Sequence, residues 1–135
     1  MKKRIVVAGV LAVLLVTAAY AQTGDVRSSL PDFFKLAQTG TPKDVQAALR
    51  KGAQVNAVLP RSYAQYMGKT PLMFAAQYNQ DPEVIATLLK AGADAKAKDS
   101  EGKTAVDYAQ DNDALIGTDA YRQLQEASQD DETGD

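Results

Sequence analysis

GKTPLMFAA (Gly68 to Ala76), DPEVIATLLKAGAD (Asp81 to Asp94) and GKTAVDYA (Gly102 to Ala109) together form the stretch whose reading decides the fold. Gly-Lys-Thr returns after 34 positions, a spacing that marks a repeat array and not a single globular motif. The Thr70 hydroxyl can cap a helix, and Pro71 sits at the first helical position, where its missing N–H costs nothing. Leu72, Ala75 and Ala76 fall at i, i+3 and i+4, so one face is apolar, and the small alanines let a second helix lie close. That second helix is predicted to start with Asp81 as cap and Pro82 as first residue. It presents Val84, Ile85, Leu88 and Leu89, and it stops at Gly92, where the chain needs a left-handed residue to leave the helix. Two antiparallel helices of about ten residues cannot bury both faces alone. They must stack on copies of themselves.

Thr70-Pro71-Leu72, the Ala75-Ala76 pair, Leu88-Leu89 and Gly92-Ala93-Asp94 stand in the order and spacing of the ankyrin repeat family, which the chain resembles. The resemblance implies an all-α solenoid of about two and a half helix-turn-helix repeats, with short β-hairpin fingers and terminal caps. It also implies a binding module for another protein, using the finger tips and the exposed side of each first helix as a concave face. Carried over position by position, that face comprises Tyr66, Met67, Lys69, Gln77 and Tyr78 in the central repeat, and Lys98, Ser100, Glu101, Lys103 and Asp111 in the third. Tyr66, Met67 and Tyr78 are the expected energetic anchors, because large amphipathic side chains dominate binding hot spots.

Outward from the centre, a first repeat is expected over residues 30–57. Thr41 is its second-helix cap, Pro42 the first helical residue, and Val45, Ala48 and Leu49 the apolar face. Phe33, Leu36 and Ala37 take the places of Leu72, Ala75 and Ala76 in its first helix. Leu30-Pro31-Asp32 replaces the Thr-Pro entry, which fits an N-terminal cap whose outer face meets water. Residues 58–67 form an extended finger: Gln54 to Thr70 is 16 positions, against 10 from Asp94 to Thr104, so six residues are inserted. With Tyr63, Tyr66, Arg61 and nearby Met67, the insert has the composition of a recognition patch. Equally, Val58, Leu59 and Tyr63 could fold back over apolar surface. The central repeat spans 68–101. In the third, 102–127, Thr104, Val106 and Ala109 keep register, Asp111-Asn112-Asp113 breaks the helix, and a last helix with Ala120, Tyr121 and Leu124 on one side reads as a C-terminal cap. Residues 128–135, with four acids, read as a disordered tail.

Residues 1–21 read as a secretory signal: Lys2, Lys3 and Arg4, an apolar run from Ile5 to Val16, then Ala19-Tyr20-Ala21 as a cleavage signature, with 22–29 a flexible lead. The apolar run is shorter than the ~20 residues of a spanning helix. The lysine-rich start points to a bacterial protein, periplasmic or secreted, that meets a membrane only during export. Cleavage after Ala21 leaves 12 basic against 17 acidic residues, a balance of −5. That sign argues against nucleic acid, whose recognition needs clustered Lys and Arg. The expected partner is another protein, and the expected state a monomer. A scaffold tethered by an uncleaved N-terminal anchor is the alternative reading.

Catalysis finds little support. With no cysteine and no histidine, the chain has no thiol nucleophile, no imidazole base and no histidine metal ligand. Neither Gly-Lys-Thr belongs to a phosphate-binding loop, because Tyr63 and Ala97 stand where its first glycine is required. Asp111-Asn112-Asp113 fails as a calcium loop, since Leu115 and Ile116 occupy positions needing an acid and a glycine. Asp99 and Glu101 could serve a small carboxylate-based hydrolase, yet they read more simply as a charged turn with no apolar pocket to shift a pKa. No catalytic residue, metal ligand or cofactor is expected.

Overall fold

Every helix after the first starts where the sequence supplies an oxygen to hold its first turn. In a computed structural model that describes residues 30–129, Thr41 and Asp44 form a reciprocal capping box, and the Thr70 hydroxyl accepts the Met73 N–H at 3.4 Å. The Asp81 carboxylate accepts the Glu83 N–H at 3.0 Å, and the Thr118 hydroxyl accepts the Tyr121 N–H at 3.1 Å. At Thr104 it is the Asp107 carboxylate that accepts the Thr104 backbone N–H, at 2.8 Å. Proline opens three of these helices at their first residue, as its fixed φ favours. The expected signal (1–21) and lead (22–29), and all of the acidic tail beyond Gln129, lie outside the described residues.

Six α-helices result among the described residues: α1 (Asp32–Thr39), α2 (Pro42–Arg50), α3 (Pro71–Tyr78), α4 (Pro82–Lys90), α5 (Ala105–Ala109) and α6 (Asp119–Ser128). They pair as α1 with α2, α3 with α4, and α5 with α6. The first helices stack in the order α1, α3, α5 and the second in the order α2, α4, α6. The repeat periodicity is thus a stack of helix pairs, with α6 reaching Ser128, one residue past its expected end. Leu72, Phe74, Ala75, Ala76, Val84, Ile85 and Leu88 are all buried, because the central pair is covered on both sides. Leu89 is half-buried. Gly92 leaves α4 with φ +94°, the left-handed conformation expected of it.

No β-strand forms among the described residues. The connecting fingers are turns pinned by individual backbone bonds: the N–H of Leu59 to the carbonyl of Lys69 at 3.0 Å, that of Gly68 to Leu59 at 2.9 Å, and that of Asp99 to Lys103 at 3.0 Å. Neighbouring fingers also join, the Ser100 N–H reaching the Met67 carbonyl at 3.2 Å. Gly68 makes this approach possible. At φ +83°, a β-carbon there would stand 2.9 Å from the Ser100 nitrogen and 3.1 Å from the Asp99 Cα, both backbone atoms. Within the six-residue insert the two readings divide by residue: Leu59 is buried, Tyr63 is half-buried and Val58 is exposed. A short 3-10 turn, Ala64–Tyr66, closes the segment.

Asparagines tie the stack together across repeats. Asn79 Nδ2 donates to the carbonyls of Ala37 and Gly40 at 2.9 and 3.0 Å, and its Oδ1 accepts the Asp81 N–H at 2.8 Å. Thirty-three positions later, Asn112 repeats the arrangement on Ala76 and Asn79, at 3.0 and 2.9 Å, while accepting the Ala114 N–H. Both side chains are buried, so their amides satisfy helix-end carbonyls that water does not reach. The sequence Asp111-Asn112-Asp113 therefore does more than break a helix: its middle residue is a brace.

The first pair departs from expectation. Phe34 and Ala37 are the buried residues of α1 and Val45 that of α2, Phe34 meeting Phe74 edge-on with 5.4 Å between ring centroids. Phe33 and Leu36 are half-buried and line an open groove of about 550 Å³ with Ala47, Ala48 and Ala53. They hold the register of Leu72 and Ala75, which are buried because a helix pair precedes them; no pair precedes α1 among the described residues. The outer face of this end is accordingly partly apolar and not the polar face expected of a cap.

Candidate functional site

Phe74 and Tyr108 occupy the same register in α3 and α5, 34 positions apart, and the expected binding residues gather around these two rings. Tyr66, at the end of the inserted finger, sits 5.3 Å from Phe74 between centroids, and Tyr78 sits 5.9 Å from it. Both tyrosines are half-buried. Burial, together with the neighbouring Tyr66 phenol, pushes the Tyr78 hydroxyl pKa up, so it stays a neutral donor in the ordinary pH range.

Lys69 lies deeper than a contact residue of an exposed face would. It is 7% exposed, and its ammonium donates to Gln77 Oε1 at 2.8 Å. The same nitrogen stands 4.2 Å from the Tyr108 ring centroid, 5.7 Å from that of Tyr66 and 5.8 Å from that of Phe74. The rings offer their negative faces to the cation, which offsets part of the cost of removing it from water. Desolvation nonetheless pulls the Lys69 pKa down, against the raising influence of the Asp99 and Glu101 charges.

Asp99 overturns the view of a charged turn without surroundings. It is 9% exposed, and its carboxylate accepts the Tyr108 hydroxyl and the backbone N–H groups of Glu101 and Lys103, the last two at 2.9 and 3.0 Å. Burial raises its pKa, but these three donors and the Lys69 charge outweigh that, and the net shift is downward. Tyr108 shifts upward, through burial first and then through its bond to Asp99. Asp99 is therefore a clasp between finger and helix, with both oxygens already in use.

A folded-state pKa below the unfolded one stabilises the protein fully above the unfolded value of about 3.9, and that contribution is lost as pH falls through the lower folded value. Asp99→Asn should consequently destabilise the protein at neutral pH, and the gap to wild type should narrow in acid. Urea unfolding at about pH 7 and about pH 3 measures both. A gap that stays constant would show that the carboxylate's charge contributes nothing.

The remaining expected residues lie at the rim. Lys103 pairs with Glu101 at 3.1 Å, both exposed, and hydrogen bonding to that partner together with its charge raises the Lys103 pKa. Asp111 is exposed and close enough to Lys103 to act on it electrostatically. Lys98 and Ser100 are exposed on the finger, Met67 is half-buried beside it, and Tyr63 is half-buried further along the insert. The structure thus brings Tyr66, Lys69, Gln77 and Tyr78 together around Phe74, and Glu101, Lys103 and Asp111 around Tyr108. Phe74 and Tyr108 are not among the residues that the sequence singles out, and Asp99 reads there only as part of a charged turn. The aromatic register shared by Phe74 and Tyr108 was the available signal.

Comparison with curated proteins gives no match. Residues 49–109, which run from the end of α2 through α5 and contain most of this face, match the family model described as ankyrin repeats. Repeats of this kind are protein–protein interaction modules, and the stacked helix pairs of this chain are built as that likeness requires.

Proposed function

We propose that this protein is an exported, non-enzymatic interaction module that binds a partner protein through the face formed by its first helices and fingers. By occupying that partner it regulates, protects or assembles it in the periplasm or outside the cell. The convergence of two half-buried phenols, Tyr66 and Tyr78, on Phe74 carries this reading. Such rings give large contact area at small entropic cost, and they gain most where a partner completes their burial. The charged rim of Glu101, Lys103 and Asp111 supplies the polar margin of a protein interface. Export rests on residues 1–21 of the sequence.

Affinity capture from exported fractions tests the reading, with the intact protein run beside the Tyr66→Ala, Tyr78→Ala double variant. One or more partners should be retained by the former and lost by the latter, and N-terminal sequencing of the same preparation should start at Gln22. Equal recovery of every partner by both proteins would remove the proposed face, and an N-terminus at Met1 would remove export with cleavage.

A further inference from the structure

The second helices α2, α4 and α6 all start on one side of the stack. Thr41, the cap of α2, follows Gly40, whose carbonyl is held by Asn79, and Asn79 itself leads into Asp81, the cap of α4. Thr118, the cap of α6, follows by a short turn on Asn112, whose amide holds the Asn79 carbonyl. The ends of these helices therefore gather on the opposite side, where Asn56 joins the loop after α2 to the Gly92 carbonyl after α4. Arg50 and Lys51 stand at the end of α2 and Lys90 at the end of α4. All three are exposed, and their side chains make no hydrogen bond or ion pair among the described residues. Arg50 and Lys90 line one open groove of about 270 Å³ with Gln46, Leu49, Thr87 and Ala91. No acid lines it, and Asp94 just beyond turns its carboxylate to the Lys96 N–H at 2.9 Å. On this same side α6 ends at Ser128, and the residues that follow include Asp130, Asp131, Glu132 and Asp135.

We propose that the acidic segment 130–135 folds back across the ends of the second helices and lies in this groove, an intramolecular strap from α6 over α4 to α2. Reach permits it. Packed helices lie about 8–10 Å apart, so the end of α6 is one such step from Lys90 and two from Arg50, and six extended residues span about 20 Å. Charge selects it, because four carboxylates follow α6 and three unpaired cations stand along the path. The helix ends themselves carry partial negative charge, so the attraction comes from Arg50, Lys51 and Lys90 alone. Each exposed pair is weak. A tethered segment nevertheless meets its site at an effective concentration of about millimolar, and its charges act together. The strap lies on the second-helix layer and not on the first-helix face proposed for the partner. It shields a basic groove from other polyanions, and it links the last helix pair to the first in a way that salt dissolves.

The chain has no cysteine, so Thr133→Cys gives a single attachment point for a nitroxide within the segment. In the isotopically labelled full chain, the NMR amide signals of Leu49, Arg50, Lys90 and Ala91 should broaden strongly relative to the same sample with the nitroxide reduced. Most of that broadening should be lost in about 1 M salt, where the screening length falls to about 3 Å. It should be lost equally when the acids are neutralised (Asp130→Asn, Asp131→Asn, Glu132→Gln, Asp135→Asn), and in the Arg50→Gln, Lys90→Gln variant. Arg50 and Lys90 are exposed, so that variant keeps the fold. Broadening confined to the last turn of α6 overturns the proposal, as does broadening at Leu49 and Lys90 that survives neutralising the acids. Mixing nitroxide-bearing unlabelled protein with nitroxide-free labelled protein tests for a second copy. Broadening in that mixture as strong as in the single chain would put a neighbour's segment in the groove and overturn the intramolecular strap.

Discussion

Asn79→Ala is expected to lower the unfolding free energy by about 2–4 kcal/mol, a large part of the total for a small domain. The side chain is 3% exposed and holds the Ala37 and Gly40 carbonyls of one repeat to the Asp81 N–H of the next. Alanine would remove all three bonds and leave buried polar groups without partners, which costs more than the bonds themselves contribute. Asn112→Ala should behave alike, because its amide makes the equivalent bonds to Ala76 and Asn79. Asn56 provides an internal control. It also bridges repeats, donating to the Gly92 carbonyl at 3.0 Å and accepting the Asp94 N–H at 2.8 Å, yet it is exposed. Water can replace those bonds, so Asn56→Ala should cost about 1 kcal/mol or less. Urea unfolding of the three variants tests the ordering, and equal losses at Asn56 and Asn79 would show that burial does not set the value of the brace.

Ending the chain after Asp113 should abolish the cooperative thermal transition altogether. The deletion removes Leu115, Ala120 and Leu124, all buried, and with them the helix that covers α4 and α5. In a linear array each pair is stabilised only by its neighbours, and three pairs leave no reserve when one is halved. The faces of α4 and α5 that it covers would be left open to water. Circular dichroism on heating and near-ultraviolet signals from the tyrosines would report the loss. A truncated protein that still melts in one sharp step would show that α6 is dispensable.

Three of the helices are legible because they announce themselves: Thr41-Pro42, Thr70-Pro71 and Asp81-Pro82 name both cap and first residue, and Gly92 names an end. Stacking was legible from the 34-residue return of Gly-Lys-Thr. What escaped was long-range. No local pattern says that Asn112 reaches back to Ala76 and Asn79, since asparagine after a helix is equally at home in a solvated turn. Asp99 looked like the acidic member of a charged turn, because the Tyr108 hydroxyl that meets it lies nine residues on and on another element. Lys69 was placed correctly in register but not in depth: a lysine at a finger base can reach out to solvent or inward over rings, and only the positions of Phe74 and Tyr108 decide between them. Phe33 and Leu36 were likewise aligned correctly, and their partial exposure follows from what covers them, which alignment does not contain.

That end groove gives the array a direction of growth. Its walls carry Phe33 and Leu36 in the register that Leu72 and Ala75 hold in the interior, whereas the opposite end turns Arg122, Gln123, Gln125 and Glu126 outward. A duplicated helix pair spliced ahead of Asp32 in frame would find a ready-made seat, while the same unit grafted beyond Ser128 would meet a surface already sealed with charge and amide. Lengthening this scaffold, by gene duplication or in the laboratory, is therefore a one-sided operation.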